Sequence, residues 1–315
     1  MQLEIYHAAP SPHALLALLL SLLIPALLSG PLLRLLQVTT AHEQLHHAAL
    51  IFLLAAIALL MEEKQSLPRQ LHADRDCLTL LSGALLFSLL SLFWPNFLLL
   101  AITLALALSG WLHLAYGPGI QRLSRALSLS FLLFVLLAQL FAATDWPLRQ
   151  MAGVYSAWML QQLGLSTQLF VQQGNEIKLI LTANQHPFEV ASECNGYGLI
   201  SSSALLALML ATYHRIHWLD KILTLTIALF LGSLFNLLRI LAIVLLAPYV
   251  GSHYLLMHEI VGSLFFWACL ILVWLLPQGF KPGSPAQNTQ QASTSKTPPQ
   301  TTPAPAATGI QRGSR

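Results

Sequence analysis

The chain has 315 residues, of which 56% are hydrophobic and 9% charged, and its mean hydropathy is +0.67. Soluble domains carry about 25% charged residues, so this composition excludes a large soluble domain and indicates an integral membrane protein. The net charge of +3 is small and the basic residues lie in loops rather than in one patch, so nucleic-acid binding has no support. The three cysteines show neither CxxC spacing nor a disulfide framework.

Apolar segments of bilayer length recur along the chain. A transmembrane helix needs about 20 apolar residues, and the sequence contains eight segments that reach or approach this length. No Lys or Arg precedes the first segment, so we expect it to remain as a membrane helix rather than to be cleaved as a signal peptide. Pro25 and the Gly30-Pro31 pair favour a kink or break in the first segment, and Gly232-Ser233 favours one in the seventh. The fold class is therefore predicted as an all-α membrane protein with about eight transmembrane helices. The predicted helices are Ala14–Leu36, His47–Met61, Cys77–Trp94, Phe97–Tyr116, Ser124–Ala143, Tyr197–Tyr213, Leu219–Ala247 and Tyr254–Leu276.

The loop charges predict the orientation in the plasma (inner) membrane. With both termini in the cytoplasm, eight basic residues fall on the cytoplasmic side and three on the outer side, as the positive-inside rule requires. The cytoplasmic set is Lys64, Arg69, Arg75, Arg122, Arg125, Arg215, Lys221 and Lys281, and the outer set is Arg34, Arg149 and Lys178.

The one sizeable outer segment of the predicted topology spans residues 144–196. Its beginning, Leu148–Leu163, is predicted to be an amphipathic interfacial helix. Three β-like runs follow and predict a small β-meander or lid. These runs are Thr167–Gln172, Glu176–Thr182 and Pro187–Ala191. We therefore expect residues 1–282 to form one polytopic catalytic domain that includes this segment. Residues 283–315 are rich in Pro, Thr, Gln, Ser and Ala, which predicts a disordered cytoplasmic tail.

Three polar residues carry the candidate chemistry, and the predicted topology brings all of them to the outer face. Cys194 lies in the run Glu193-Cys194-Asn195-Gly196, directly before a helix whose partially positive N-terminus is expected to lower the pKa of the thiol. Arg239 lies about 12 Å below the outer end of the seventh helix, where its insertion costs about 2.5–3.5 kcal/mol. His258 opens the last helix. A thiolate, a fixed cation and an imidazole together suit attack on a carbonyl and stabilisation of its oxyanion.

Each of these residues also has a purely structural interpretation. Cys194 can be a small packed side chain, as free cysteines often are. Arg239 can bind backbone carbonyls or extend its guanidinium to the interface. His258 can be an ordinary interfacial histidine, and its neighbour Glu259 is expected to point about 100° away from it.

The order and spacing of these motifs resemble the exosortase/archaeosortase family. The similarity rests on Glu193-Cys194-Asn195-Gly196 at a helix start, then Asn236-x-x-Arg239, then His258, and covers about residues 124–276. Many bacterial exosortases have Cys-Ser-Gly, so the chain differs from them at Asn195.

This resemblance implies a membrane-embedded cysteine protease or transpeptidase. Its expected partners are exported proteins with a C-terminal sorting signal, made of a short motif, one transmembrane helix and a basic cluster, and a lipid or glycan acceptor. It implies Cys194 as nucleophile, Arg239 as oxyanion stabiliser and His258 as acid/base, without a metal or organic cofactor. We expect Asn236 to orient Arg239 and Glu193 to tune the thiol or the histidine.

Two other functions remain open at this stage. His42-Glu43-x-x-His46 matches the HExxH signature of zinc metalloproteases, in which two histidines one helical turn apart hold zinc beside a glutamate base. No third ligand is evident at a helpful spacing. Alternatively, the chain is a transporter or scaffold in which Asn236 and Arg239 line a path through the membrane.

Overall fold

Eight α-helices and one small sheet make up the described part of the chain. The computed structural model describes residues 12–63, 73–94, 96–173, 177–184 and 186–279. Seven of its helices are long and apolar enough to cross a membrane, and α6 is a shorter apolar helix of 17 residues. The predicted all-α membrane class is confirmed. The helices are α1 (Pro12–Ala41), α2 (Glu43–Glu63), α3 (Arg75–Phe93), α4 (Phe97–Tyr116), α5 (Gln121–Gln162), α6 (Tyr197–Tyr213), α7 (Trp218–Val250) and α8 (Tyr254–Gly279).

Helix α6 is the central element of the bundle. It contacts α2, α5, α7 and α8, and nearly all of its residues are buried. Its sequence supplies small side chains, including Ser201, Ser202 and Ser203, that allow neighbouring helices to approach closely. Seventeen residues span only about 25 Å, less than the roughly 30 Å of a hydrocarbon core. The residues directly before α6, 192–196, therefore lie among the flanking helices α5 and α7.

Several helices run further than their sequence predicts. Helix α1 continues without a break through Pro25, Gly30 and Pro31, and α7 continues through Gly232 and Ser233. The prediction of a separate helix at Leu148–Leu163 is wrong. Helix α5 extends unbroken to Gln162, with Pro147 inside it, so these residues form its last part. An ion pair between Asp145 and Arg149, 2.6 Å apart, bridges the turn that contains this proline.

The three predicted strands form one antiparallel sheet in the order β1-β2-β3. They are β1 (Thr167–Gln172), β2 (Lys178–Ala183) and β3 (His186–Glu189), so β1 has the predicted limits and those of β2 and β3 shift by one or two residues. Glu176, the predicted start of β2, lies outside the described residues. Pro187 falls on the edge strand β3, where a missing N–H is tolerated.

The sheet packs on the bundle through an apolar cluster contributed by α5, the strands and α7. We call this side of the bundle the sheet end. Leu160, Leu181 and Val190 meet Ile240 and Val244 in that cluster. This packing brings the chain from β3 back into the bundle just before Cys194. At the opposite end, the Tyr213 hydroxyl donates to the Glu63 carboxylate at 2.7 Å. The predicted tail, residues 283–315, lies outside the described residues, as do Lys64, Arg69 and Lys281.

Candidate active site

A rigid turn presents Cys194 at the start of α6. Ser192–Cys194 forms a short 3-10 helix, and Asn195 and Gly196 connect it to Tyr197. Gly196 has a φ of +81°, and a Cβ there would lie 2.7 Å from the Asn236 amide, so only glycine fits. The Asn195 side chain accepts from the Tyr197 N–H at 2.7 Å. The same side chain donates to Asp145 at 2.6 Å, which ties this turn to α5.

Two residues one turn apart on α7 hold the backbone of the Cys194 turn. The Asn236 amide donates to the Cys194 carbonyl at 3.0 Å, and an Arg239 Nη donates to the Glu193 carbonyl at 3.3 Å. The sequence predicts that Asn236 orients Arg239. In the structure the Asn236 amide instead binds the backbone of Cys194 itself. Arg239 and Asn236 thus position the turn that carries the thiol.

The Arg239 guanidinium retains unused donor capacity. Its Nε is buried and has no hydrogen-bond partner among the described residues. Gly262 on α8 faces it, since a Cβ at that position would lie 3.1–3.2 Å from the guanidinium atoms. A buried N–H without a partner is costly, so the pocket around Arg239 is well suited to an added acceptor such as an oxyanion.

His258 projects from the first turns of α8 and is half-buried. Its Nδ1 lies 3.9 Å from a Glu259 carboxylate oxygen. The Glu259 side chain is 82% exposed and that of His258 is 21% exposed, so the two side chains differ in direction as the sequence predicts, although their polar atoms approach each other.

Two adjoining cavities meet at this cluster and share Glu193, His258 and Glu259. The first has a volume of about 310 Å³ and lies between α2, α6, α7 and α8, with Arg239 in its wall. The second, of about 320 Å³, lies beneath the sheet and contains Cys194 and Tyr254. Of the three predicted residues, His258 lines both cavities, Arg239 lines the first and Cys194 lines the second.

Burial raises the pKa of the Cys194 thiol above its ordinary value. The Arg239 cation lowers this pKa in part and the Glu193 carboxylate raises it. The sequence predicts a lowered pKa from the helix N-terminus, and this expectation is wrong because desolvation outweighs the favourable charges. His258 lines the same cavity as this thiol.

The other candidates lie elsewhere. Cys77 and Cys269 are both 0% exposed, and Cys269 lies 3.4 Å from the Ser203 hydroxyl. His42 precedes the first residue of α2 and packs against the Phe141 ring, with centroids 4.5 Å apart. Within the described ranges, no group of three or more His, Cys, Asp or Glu residues is arranged to hold a metal ion.

Sequence reasoning missed several residues of the site. Asp145 anchors Asn195, and its spacing of four from Arg149 is the local signal that marks a paired carboxylate on a helix. Gln44 and His47 of α2 line the first cavity and were not singled out, whereas Glu43, which also lines it, was noted only as the base of the HExxH pattern. No local pattern indicates that this face of α2 packs beside α6.

Comparison with known proteins identifies the family. The family model described as transmembrane exosortase matches residues 36–275, which is more than half of the chain. No curated protein and no solved structure matches the chain. The matched range includes Cys194, Arg239 and His258 together with α2 to α8 almost to the end of α8. This chain therefore belongs to the transmembrane exosortase family.

Proposed function

We propose that this exosortase is a cysteine protease or transpeptidase whose nucleophile is Cys194. The observation that supports the proposal is the pair of adjoining cavities, of which His258 lines both, Cys194 lines one, and Arg239, whose Nε has no hydrogen-bond partner among the described residues, lines the other. Thiols attack carbonyl carbon readily once they are ionised, and the three groups supply the nucleophile, the oxyanion donor and the base.

In the first step the substrate carbonyl lies beside Cys194. His258 accepts the thiol proton as the C–S bond forms, and Arg239 stabilises the charge that develops on the carbonyl oxygen. Glu259 favours the imidazolium through its carboxylate. The intermediate then collapses, the peptide C–N bond breaks, and His258 returns the proton to the departing amine. A thioester between Cys194 and the substrate remains.

In the second step water or an acceptor attacks this thioester. Attack by water makes the enzyme a protease, and attack by an amine or hydroxyl makes it a transpeptidase. His258 accepts the proton of the attacking water, amine or hydroxyl and passes it to the departing Cys194 thiolate, which regenerates the enzyme. The rigid turn held by Asn195, Asn236 and Asp145 keeps Cys194 in place through both steps.

The substrates that fit this proposal are exported proteins that end in a short motif, a transmembrane helix and a basic cluster. Family membership supports this substrate class, and the acceptor would be a lipid or glycan at the cell surface. The charge bias of the loops supports an enzyme of the plasma (inner) membrane with cytoplasmic termini and an extracytoplasmic site.

The test is co-expression with a reporter protein that carries such a tail, scored by a gel shift. We expect wild-type enzyme and Cys269→Ala to process the reporter and Cys194→Ala to leave it intact. A metal chelator, added to purified enzyme, should leave processing unchanged. Full processing by Cys194→Ala would overturn the proposal. A zinc enzyme would be favoured instead if processing were lost both in the Glu43→Gln variant and when the chelator is added to wild-type enzyme.

A further inference from the structure

The α2 wall of the first cavity contains polar residues that the mechanism above does not use. We define this wall as Glu43, Gln44 and His47. Gln44 is only 7% exposed, and its side-chain amide makes no hydrogen bond to any residue in the described part of the chain. The backbone of Gln44 lies 3.3 Å from where a Cβ on Gly198 would be, so α2 is held tightly against the start of α6. Gln44 lines the cavity and its amide is not among the fully buried polar atoms, so the amide is accessible from the cavity and can bind a polar ligand there.

The charges around this cavity favour a cation. Three carboxylates, of Glu43, Glu193 and Glu259, line it against the single guanidinium of Arg239. That guanidinium already donates to the Glu193 carbonyl and faces Gly262 on α8. The α2 wall therefore presents a carboxylate whose partner is absent from the described residues of the cavity. A protonated amine satisfies both the Glu43 carboxylate and the Gln44 amide oxygen.

The same cavity has an apolar side that continues along α8. Leu50 of α2 and Phe266 and Trp267 of α8 line it, and Trp267 remains largely exposed on the outside of the bundle. A third concavity on α8 shares Glu259, Ser263 and Trp267 with it. An amine can therefore reach the α2 wall from water or as the headgroup of a membrane lipid.

We propose that the α2 wall is the acceptor site and that the acceptor is a primary amine. This inference deepens the proposed function and rests on it. The peptide occupies the Cys194 cavity beneath the sheet, and the amine occupies the first cavity, on the other side of His258. The two substrates thus approach the same thioester from opposite sides.

The chemical step balances with the groups at hand. The Glu43 carboxylate takes a proton from the bound ammonium, which leaves a neutral amine held by the Gln44 amide. The amine nitrogen attacks the thioester carbonyl, the C–N bond forms and the C–S bond breaks. His258, which is neutral after the first step, takes one proton from the attacking nitrogen and passes it to the departing Cys194 thiolate, and the proton held by Glu43 is released to water.

The experiment measures how the Cys194 thioester partitions between amine and water. Purified full-length enzyme in vesicles is first loaded with a tailed reporter. Glycinamide is then added, and the ratio of amide to hydrolysed product is measured by mass spectrometry. We expect Glu43→Gln and Gln44→Leu each to lower this ratio by about tenfold or more. Since both products come from one thioester, the ratio does not depend on the amount of folded enzyme.

Glu62→Gln, an exposed glutamate at the opposite end of α2, is the matched control and should keep the wild-type ratio. Vesicles with phosphatidylethanolamine, compared with vesicles of phosphatidylglycerol alone, distinguish a lipid amine from a soluble one. An unchanged ratio in Glu43→Gln and Gln44→Leu would overturn the acceptor site, and transfer to glycerol hydroxyls in preference to amines would overturn the amine class. If the wild type forms no Cys194 thioester, the proposed function fails and this inference fails with it.

Discussion

Two thiols contact helix α6, and their surroundings differ in access and charge. At the sheet end, Cys194 is half-buried, opens into a cavity and lies in the field of the Arg239 cation. Cys269 of α8 is fully buried, and its sulfur lies 3.4 Å from the hydroxyl of Ser203 in α6. Cys194 precedes the first residue of α6, whereas Cys269 belongs to α8 and reaches α6 at Ser203. We therefore attribute the proposed reactivity of Cys194 to its cavity and the neighbouring cation, which Cys269 lacks among the described residues.

The largest expected effect comes from replacing each of the two cysteines by alanine. Cys194→Ala removes the proposed nucleophile and should lower reporter processing by about 10³-fold or more. Cys269→Ala removes a fully buried thiol and should leave processing nearly unchanged. Quantitative gel shift of a tailed reporter measures both. Equal loss in the two variants would mean that the contrast between the regions has no catalytic meaning.

The next effect concerns the cation at the sheet end. Arg239→Lys should lower processing by about 10²–10³-fold, because a lysine cannot both donate to the Glu193 carbonyl and keep a second planar N–H for an oxyanion. Arg125→Lys, an exposed arginine of α5, is the control. Wild-type rates in Arg239→Lys would show that charge alone suffices.

A smaller effect is expected from crowding the guanidinium. Gly262→Ala places a methyl group 3.1–3.2 Å from the Arg239 guanidinium and should shift it by a few tenths of an ångström. We expect about a tenfold loss of processing, since misplacing a group by about 1 Å can cost about 10²-fold. At Gly83 a Cβ meets Leu106 at an ordinary 3.6 Å, so Gly83→Ala should retain activity. A comparable loss in the two variants would point to general destabilisation.

The raised pKa of Cys194 predicts a specific alkylation profile. The thiolate is the reactive form, so the rate of iodoacetamide modification should keep rising with pH beyond the range of an ordinary thiol. Because Arg239 lowers the pKa, Arg239→Gln should shift the profile to higher pH and slow the reaction severalfold at neutral pH. Rates measured by mass spectrometry between pH 6 and 10 provide the check. A shift to lower pH would contradict the assigned role of the cation.

The smallest effect is expected at the buried contact between Ser203 and Cys269. Ser203→Ala removes the hydroxyl beside Cys269 and should change the free energy of unfolding by about 1 kcal/mol or less. Processing of the reporter should stay at the wild-type level. Thermal unfolding in detergent and the gel-shift assay measure the two quantities. A large loss of processing here would extend the functional region into the middle of α6.

The sequence predicted much of the fold because the signals are local. Apolar runs indicated the membrane helices, and the three β-like runs after residue 166 indicated the sheet. It also singled out Cys194, Arg239 and His258, because polar groups in apolar segments stand out against their neighbours. It did not predict that Asn236 binds the Cys194 carbonyl, since these residues are 42 positions apart in the chain.

The amino-acid sequence by itself determined that this is a multi-pass membrane protein and which polar residues are unusual in it. Only the tertiary structure decided which of them meet, that Glu43 and Gln44 share a cavity with Arg239, and that burial raises rather than lowers the pKa of Cys194. The physical reason is that hydropathy is a property of consecutive residues. Desolvation and hydrogen bonding depend instead on which distant segments pack around a group, and here the short helix α6 and the sheet set that packing.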